Sequence, residues 1–172
     1  MYVVCCKEKD MRKRSFISAL WLIPLLLAGL IIWSIAQPKP GESLDSLGNQ
    51  HIATIEETHG PYNSKPPTSG PHLNQKAPWG VSEEQLPDEL QVHNLEDGGV
   101  IIHYDPAIDT GTVMQLTNLV ERYPDKVILE PYAGMDKPIV MTAWTKIDKL
   151  DTYDEERIAA FISAYRNIDH HE

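Results

Sequence analysis

Cysteine is nearly absent from this chain, and its position is as informative as its scarcity. Of 172 residues only Cys5 and Cys6 are cysteines, so nothing from Lys7 onward can form a disulfide or offer a thiolate to a metal. Disulfide-stapled scaffolds and cysteine-ligated zinc are excluded for that stretch, and its stability must come from packing. Several catalytic signatures are also missing: there is no Walker loop, no dinucleotide fingerprint, no HExxH and no G-x-S-x-G elbow. Proline and glycine, at 13 and 10 residues, fall well short of a disordered or collagen-like composition.

Charge is missing from one long stretch. Phe16 to Ala36 (FISALWLIPLLLAGLIIWSIA) has no ionisable residue over 21 positions, which is long enough to cross a hydrocarbon core of roughly 30 Å. Trp21 and Trp33 lie toward its ends, where amphipathic rings favour the headgroup zone, and Pro24 is tolerable within it. Lys7, Lys9, Arg12, Lys13 and Arg14 precede it, against Lys39 alone close by on the other side. The positive-inside rule then puts residues 1–15 in the cytoplasm as a basic tail, 16–36 in the membrane lipid as a single-pass helix, and the remainder outside the cytoplasm. A cleaved signal peptide ending at Ser34-Ile35-Ala36 is the alternative, although secretory apolar cores run only about 7 to 15 residues. Met11-Arg-Lys-Arg-Ser resembles a signal n-region in its own right, so a start at Met11 with residues 1–10 as an upstream extension is a second open point. Adjacent Cys5 and Cys6 are open to acylation or metal binding if translated.

From Gln37 onward 10 Lys and Arg face 23 Asp and Glu, a net charge of −13, whereas the preceding tail carries +3. So negative a surface repels nucleic acid and anionic lipid, and concentrates cations around it. Nucleic-acid binding is excluded. Solubility alone is a sufficient reason for such a surface, so charge does not by itself argue for a cation site.

Residues 37–50 lack apolar periodicity and read as a tether, with the folded domain spanning 51–172. From His51 to Glu89 prolines and turn formers dominate (HGPYNSKPPTSGPH, KAPWG, LPDE), which predicts a long ordered loop, the kind of segment that is often functional. Gly99–Asp105 and Lys126–Tyr132 read as strands, and Thr112–Tyr123 as a helix with Val113, Leu116, Val120 and Tyr123 on its stripe. Ile139 to Ile147 alternates like one long strand. Thr152 with Glu155 forms a capping box before Ile158, Phe161, Ile162 and Tyr165, an apolar helical face. The expected fold is a single small α+β domain: a short mixed sheet, two packed helices and the proline-rich loop, preceded by the transmembrane helix.

Five histidines, His51, His59, His72, His93 and His103, fall close to Glu96, Asp97 and Asp105 in sequence. Neutral imidazole with carboxylate suits zinc or copper. Each histidine has an ordinary alternative role in capping or packing, and His170 and His171 are expected to fray. Met114 and Met135 add soft donors for copper but are as readily surface or turn residues, while Met141 reads as core. A hydrolase would use Ser69 with His72 or His93 and Asp97; Ser69 in Pro-Pro-Thr-Ser-Gly is better explained as a turn residue. No catalytic residue is assigned.

Tyr62-Asn63-Ser64, Pro66-Pro67-Thr68-Ser69-Gly70-Pro71-His72, Val92-His93-Asn94-Leu95-Glu96 with Gly98-Gly99-Val100, and Thr142-Ala143-Trp144 occur in an order and spacing that resembles the bacterial family catalogued as domain of unknown function 3105. The resemblance implies an anchored extracytoplasmic domain with PPTSGPH and HNLE as signature elements. Members typically read His-x-Leu-Glu-His-Gly; this chain has Asp97 in place of the second histidine, which disfavours a soft, histidine-rich copper site. Gly98-Gly99 would let the chain turn into strand 100–105 with His93, Glu96 and Asp97 at its mouth, His72 folding over them and His103 on the Ile101 side.

Three function classes emerge: a metal-binding domain using His72, His93 and Asp97 with Glu96 and His51 behind them; a partner-binding module or accessory subunit of a membrane complex; and a hydrolase. On topology the expected outcome is definite. A reporter enzyme that works only outside the cytoplasm, fused after Glu172, should be active, and sequencing should place the mature N-terminus before Phe16. A mature N-terminus at Gln37 would replace the anchor with a signal peptide.

Overall fold

The computed structural model describes residues 38–171, together with Pro24, Leu27 and Ala28 as helical positions. The basic tail and most of the 16–36 segment therefore lie outside the described residues. Among the described residues no helix is long and apolar enough to cross a membrane. The chain divides into two compact units at Pro38/Lys39, and the second of them carries the sheet, the helices and the histidines.

The framework of this second unit is a six-stranded mixed sheet. Its central strands are β5 (Val100–Tyr104), β6 (Val127–Pro131), β7 (Ile139–Ala143) and β8 (Lys146–Leu150); β1 (Glu42–Ser43) and β4 (Gly80–Val81) are two-residue edges. Across the sheet the order is β1-β8-β7-β5-β6-β4. Strands β5 and β6 run parallel, with Ile101 opposite Ile128, so the chain must cross over between them. Helix α2 (Thr110–Val120) makes that crossover, its N-terminus capped by Asp109, whose carboxylate accepts from Thr112 N. Helix α3 (Glu155–Tyr165) closes the chain.

Both faces of the sheet are covered, which is why β5 reads as an unbroken apolar run instead of an alternation. On one face Val100, Ile102, Leu129, Ile139 and Met141 pack against Leu116, Leu119 and Val120 of α2 and Ile158, Phe161 and Ile162 of α3. On the other, Ile101, Ile128 and Trp144 meet Val92 and Leu95 of a further helix, α1 (Asp88–Glu96), with Tyr62 and Trp79 at the margin. Among the described residues this unit is α+β, with three packed helices instead of the two expected.

Four details depart from the sequence reading. HNLE lies in α1, a helix the sequence does not predict, with the expected positive-φ turn following it at Gly98 (φ 77°), and the expected loop stops at Pro87. Ile139–Ile147 is not one strand: Trp144 and Thr145 form the turn of the β7–β8 hairpin, Thr145 taking a positive φ of 58°. Alternation survives through the tight turn, so periodicity alone does not expose the break. Asp154, not Thr152, caps α3 by accepting from Arg157 N at 3.0 Å. The expected tether joins the compact unit from Lys39, and Glu42 and Ser43 pair with Ile147 and Lys146 of β8.

The proline-rich segment is ordered by backbone pairing. His51 and His72 are register partners in a short parallel pair, β2 (His51–Ile52) with β3 (His72–Leu73). Gly70 N donates to Gly48 O, His72 N to Gln50 O and Thr145 N to Thr68 O, tying the segment to both the entry chain and the hairpin turn.

Phe161 is fully buried between α3 and the sheet. Its replacement by alanine should cost about 3–5 kcal/mol, as large core truncations do. Denaturant unfolding checks this, and a loss under about 1 kcal/mol would mean the α3 face contributes little to the core.

Candidate metal centre

Helix α1 and the β2–β3 pair bring four donors together. His51, His72, His93 and Glu96 each offer one ligand atom, and these atoms all lie within 4.8 Å of one another. His93 and Glu96 are one helical turn apart and share a face of α1, whereas His51 and His72 come from neighbouring strands. Glu96 Oε2 is the hub: it lies 3.0 Å from His72 Nε2, 3.6 Å from His51 Nε2 and 3.7 Å from His93 Nδ1. A tetrahedral zinc with bonds of about 2.0–2.2 Å holds its donors roughly 3.3 Å apart, so the three spacings from Glu96 Oε2 are close to the edges of such a site.

The proton inventory sharpens the picture. Gly70 O can only accept, so the 2.7 Å contact from His72 Nδ1 fixes the proton on that nitrogen. His72 Nε2 then presents either a lone pair or an additional proton to the Glu96 carboxylate. Two lone pairs at 3.0 Å repel, so a cation is needed between them: a proton on one partner, or a metal ion bound by both. Glu96 is completely buried, as is His72; Glu96 Oε1 and His93 Nδ1 have no hydrogen-bond partner. Burial holds the His93 imidazolium disfavoured, lowering its pKa despite the pull of Asp97, and the neighbouring His72 and His51 act in the same direction. A neutral ring is the form that ligates.

The five residues expected from sequence are thus divided. His51, His72, His93 and Glu96 converge; Asp97 stands beside them. Its Oδ2 is 2.6 Å from Lys76 Nζ and 3.9 Å from Lys126 Nζ, and Oδ1 is 4.0 Å from His93 Nε2. Burial alone would raise the Asp97 pKa, but the Lys76 hydrogen bond and both ammonium charges outweigh it and hold the carboxylate ionised. Neutralised by lysine, Asp97 is a weaker ligand than Glu96 and is better placed to orient His93.

A model of the family described as Protein of unknown function (DUF3105) matches residues 54–172. The chain belongs to that family. No curated protein and no solved structure matches it. The span matched to DUF3105 includes His72, His93 and Glu96, with His51 just ahead of it.

Sequence reasoning missed His171, expected to fray. Its Nε2 is 3.4 Å from Glu96 Oε2 and 3.6 Å from Asp97 Oδ1, and with His93 and Asp97 it forms a second group of candidate donors. His59 lies apart, pairing with Glu89 and the carbonyl of Gly60. Ser69 is buried and accepts from Leu47 N at 3.0 Å, a long-range tie to the entry segment in place of the local turn bond expected of it. Met114 is exposed and Met141 is core.

His103 belongs to a separate buried cluster under the sheet. Its Nε2 meets Thr142 Oγ1 at 2.9 Å, and its Nδ1 is 2.8 Å from Glu130 Oε1, close enough for a charge contact but not aligned as a hydrogen bond. Glu130 Oε2 accepts from Leu86 N, fastening the chain that leads into α1. His103→Gln should therefore reduce stability by about 1–3 kcal/mol, the cost of leaving a buried polar partner unsatisfied, while leaving metal binding at the other histidines unchanged. Denaturant unfolding and metal titration of the same variant check both halves.

Proposed function

We propose that the domain binds a divalent metal ion, zinc or copper(II), through His51, His72, His93 and Glu96. The observation that carries this reading is the convergence of His51, His72, His93 and Glu96, all donor atoms within 4.8 Å, on a buried carboxylate oxygen that a single shared proton would satisfy at only one contact. Three further histidines, His51, His93 and His171, stand 3.4–3.7 Å from the same oxygen and no lysine or arginine does, among the described residues. Three imidazoles and one carboxylate are a borderline donor set, suited to zinc and copper(II). The four donors named include no thiolate or thioether, the ligands that favour copper(I).

The setting we infer for this site is extracytoplasmic, on a single-pass anchor formed by residues 16–36. Its support is the uncharged 21-residue run, the preceding cations and the cysteine-free acidic domain. Such a domain would act as a metal-holding module beside the membrane, and a membrane-protein partner would be the natural source or recipient of the ion.

Calorimetry of the purified full chain with zinc and with copper(II) tests the reading. Binding should show one strong site, lost when His72 and His93 are both changed to alanine. Protons compete for each imidazole, so affinity should fall with falling pH. Because burial lowers the His93 pKa, its share of that loss should begin only below the ordinary histidine value of about 6.5. Equal affinity in the double variant would remove the metal reading.

A further inference from the structure

The last residues of the described chain cross the mouth of the histidine cluster. Asn167 N donates to Gly98 O at 2.8 Å and His170 N to Glu96 O at 2.9 Å, so the segment is stitched to the end of α1, the helix that supplies two of the four donors. Gly98, at φ +77°, allows the close approach: a Cβ there would lie 2.6 Å from the carbonyl oxygen of Ile168. The His170 ring stacks on Trp144 with centroids 6.0 Å apart and planes 23° from parallel, and Trp144 meets the His72 ring edge-on at 6.2 Å. This pins the segment against one wall of the site and leaves the next residue over its opening.

That residue is His171, and its two nitrogens are differently employed. Nδ1 is 2.6 Å from Asp169 Oδ1, while Nε2 points inward, 3.4 Å from Glu96 Oε2. A carboxylate on the outer nitrogen with the inner nitrogen at the metal position is the arrangement that orients histidine ligands in metalloproteins. His72 shows the same division, with Gly70 O in place of the carboxylate. The His171 side chain is 44% exposed and that of His72 is fully buried; His51 is as open at 43% but is fixed in the β2–β3 pair, so His171 is the donor best able to leave and return.

We propose that residues 167–171 form a strap over the metal site, with His171 as an additional, exchangeable ligand that occupies the coordination position open to solvent. This rests on the metal reading above and adds to it a device that controls access. His171 touches the four-donor group at Glu96 and otherwise groups with His93 and Asp97, so a small inward shift of the strap would bring it onto the ion; with His171 withdrawn, one position would face water and become available to an exogenous anion or to a donor side chain of another protein. Asp97, clamped by Lys76 and lying 3.6 Å from His171 Nε2, helps hold the strap in its closed position.

The test compares the full chain with His171→Ala and Gly98→Ala, each loaded with cobalt(II) as a spectroscopic probe. Azide should leave the visible spectrum of the parent protein unchanged at concentrations that shift that of His171→Ala, and transfer of the metal to a chelator should be faster in His171→Ala by about tenfold or more. Gly98→Ala displaces the strap without removing a ligand and should behave in the same direction; if it does not fold, His170→Ala, which removes the stack on Trp144, takes its place. Identical azide response and release rate in the parent and His171→Ala would overturn the strap while leaving the metal site standing. Binding of two equivalents, one of them lost in His171→Ala, would overturn it in favour of a separate second site at His93, Asp97 and His171. Absence of cobalt binding from the parent protein would overturn both readings together.

Discussion

Burying the Glu96 carboxylate with no lysine or arginine against it, among the described residues, imposes a cost of several kcal/mol that something in the structure must offset, because an ion removed from water is stable only beside opposite charge or good donors. Here the neighbours are imidazoles, and one of them, His72, has spent its Nδ1 proton on Gly70 O. The arrangement is therefore unfavourable without a cation and favourable with one. A single proton satisfies one pair; a divalent ion satisfies every donor in the group at once. Helix α1 and the β2–β3 pair together aim these donors at one oxygen.

The rest of the domain supplies the rigidity that such convergence needs. Helix α1 is held by two kinds of contact. Val92 and Leu95 pack on Ile101 and Ile128, and Asn94 exchanges hydrogen bonds with the backbone of Ala77, donating to its carbonyl at 3.0 Å and accepting from its N–H at 2.8 Å. Gly99 permits the tight passage from helix to strand, because a Cβ there would lie 2.5 Å from Asn94 O and 2.7 Å from the Trp79 ring. On the far face, α2 and α3 bury the larger apolar cluster, which carries most of the hydrophobic stabilisation and no metal-binding function. Fold and site are thus divided between the two faces of one sheet.

This division explains what is legible in the sequence. The α2 and α3 side rests on apolar periodicity, and Leu116, Val120, Ile158, Phe161, Ile162 and Tyr165 are buried as their spacing predicts. Helix α1 is invisible to the same reasoning because four of its six buried positions are polar, namely Gln91, His93, Asn94 and Glu96. A helix whose inner face is largely polar has no apolar stripe to detect. The residue types of the site are legible from histidine density beside carboxylates. Their ranking is not: sequence places Asp97 ahead of Glu96 and His51, yet Lys76, 21 residues earlier in the chain, claims Asp97 in space. His171 can be found only by knowing that the chain returns across α1, a fact carried by backbone bonds at Gly98 and Glu96 that leave no pattern in sequence.

Exposure within the site gives it a direction. His72 and Glu96 are sealed at its base, His93 is nearly so, and His51 and His171 stand open at its rim with side chains 43% and 44% exposed. An ion entering from solvent would meet the rim imidazoles first and then the buried carboxylate, where low local dielectric makes its attraction strongest. The acidic surface draws cations toward the domain without selecting among them. Selection falls to the buried donors, because a nitrogen-rich set disfavours calcium and magnesium, which take oxygen ligands. On the proposed reading, release would require the rim to open before the base could give up the ion, and departure of His171 would limit that step.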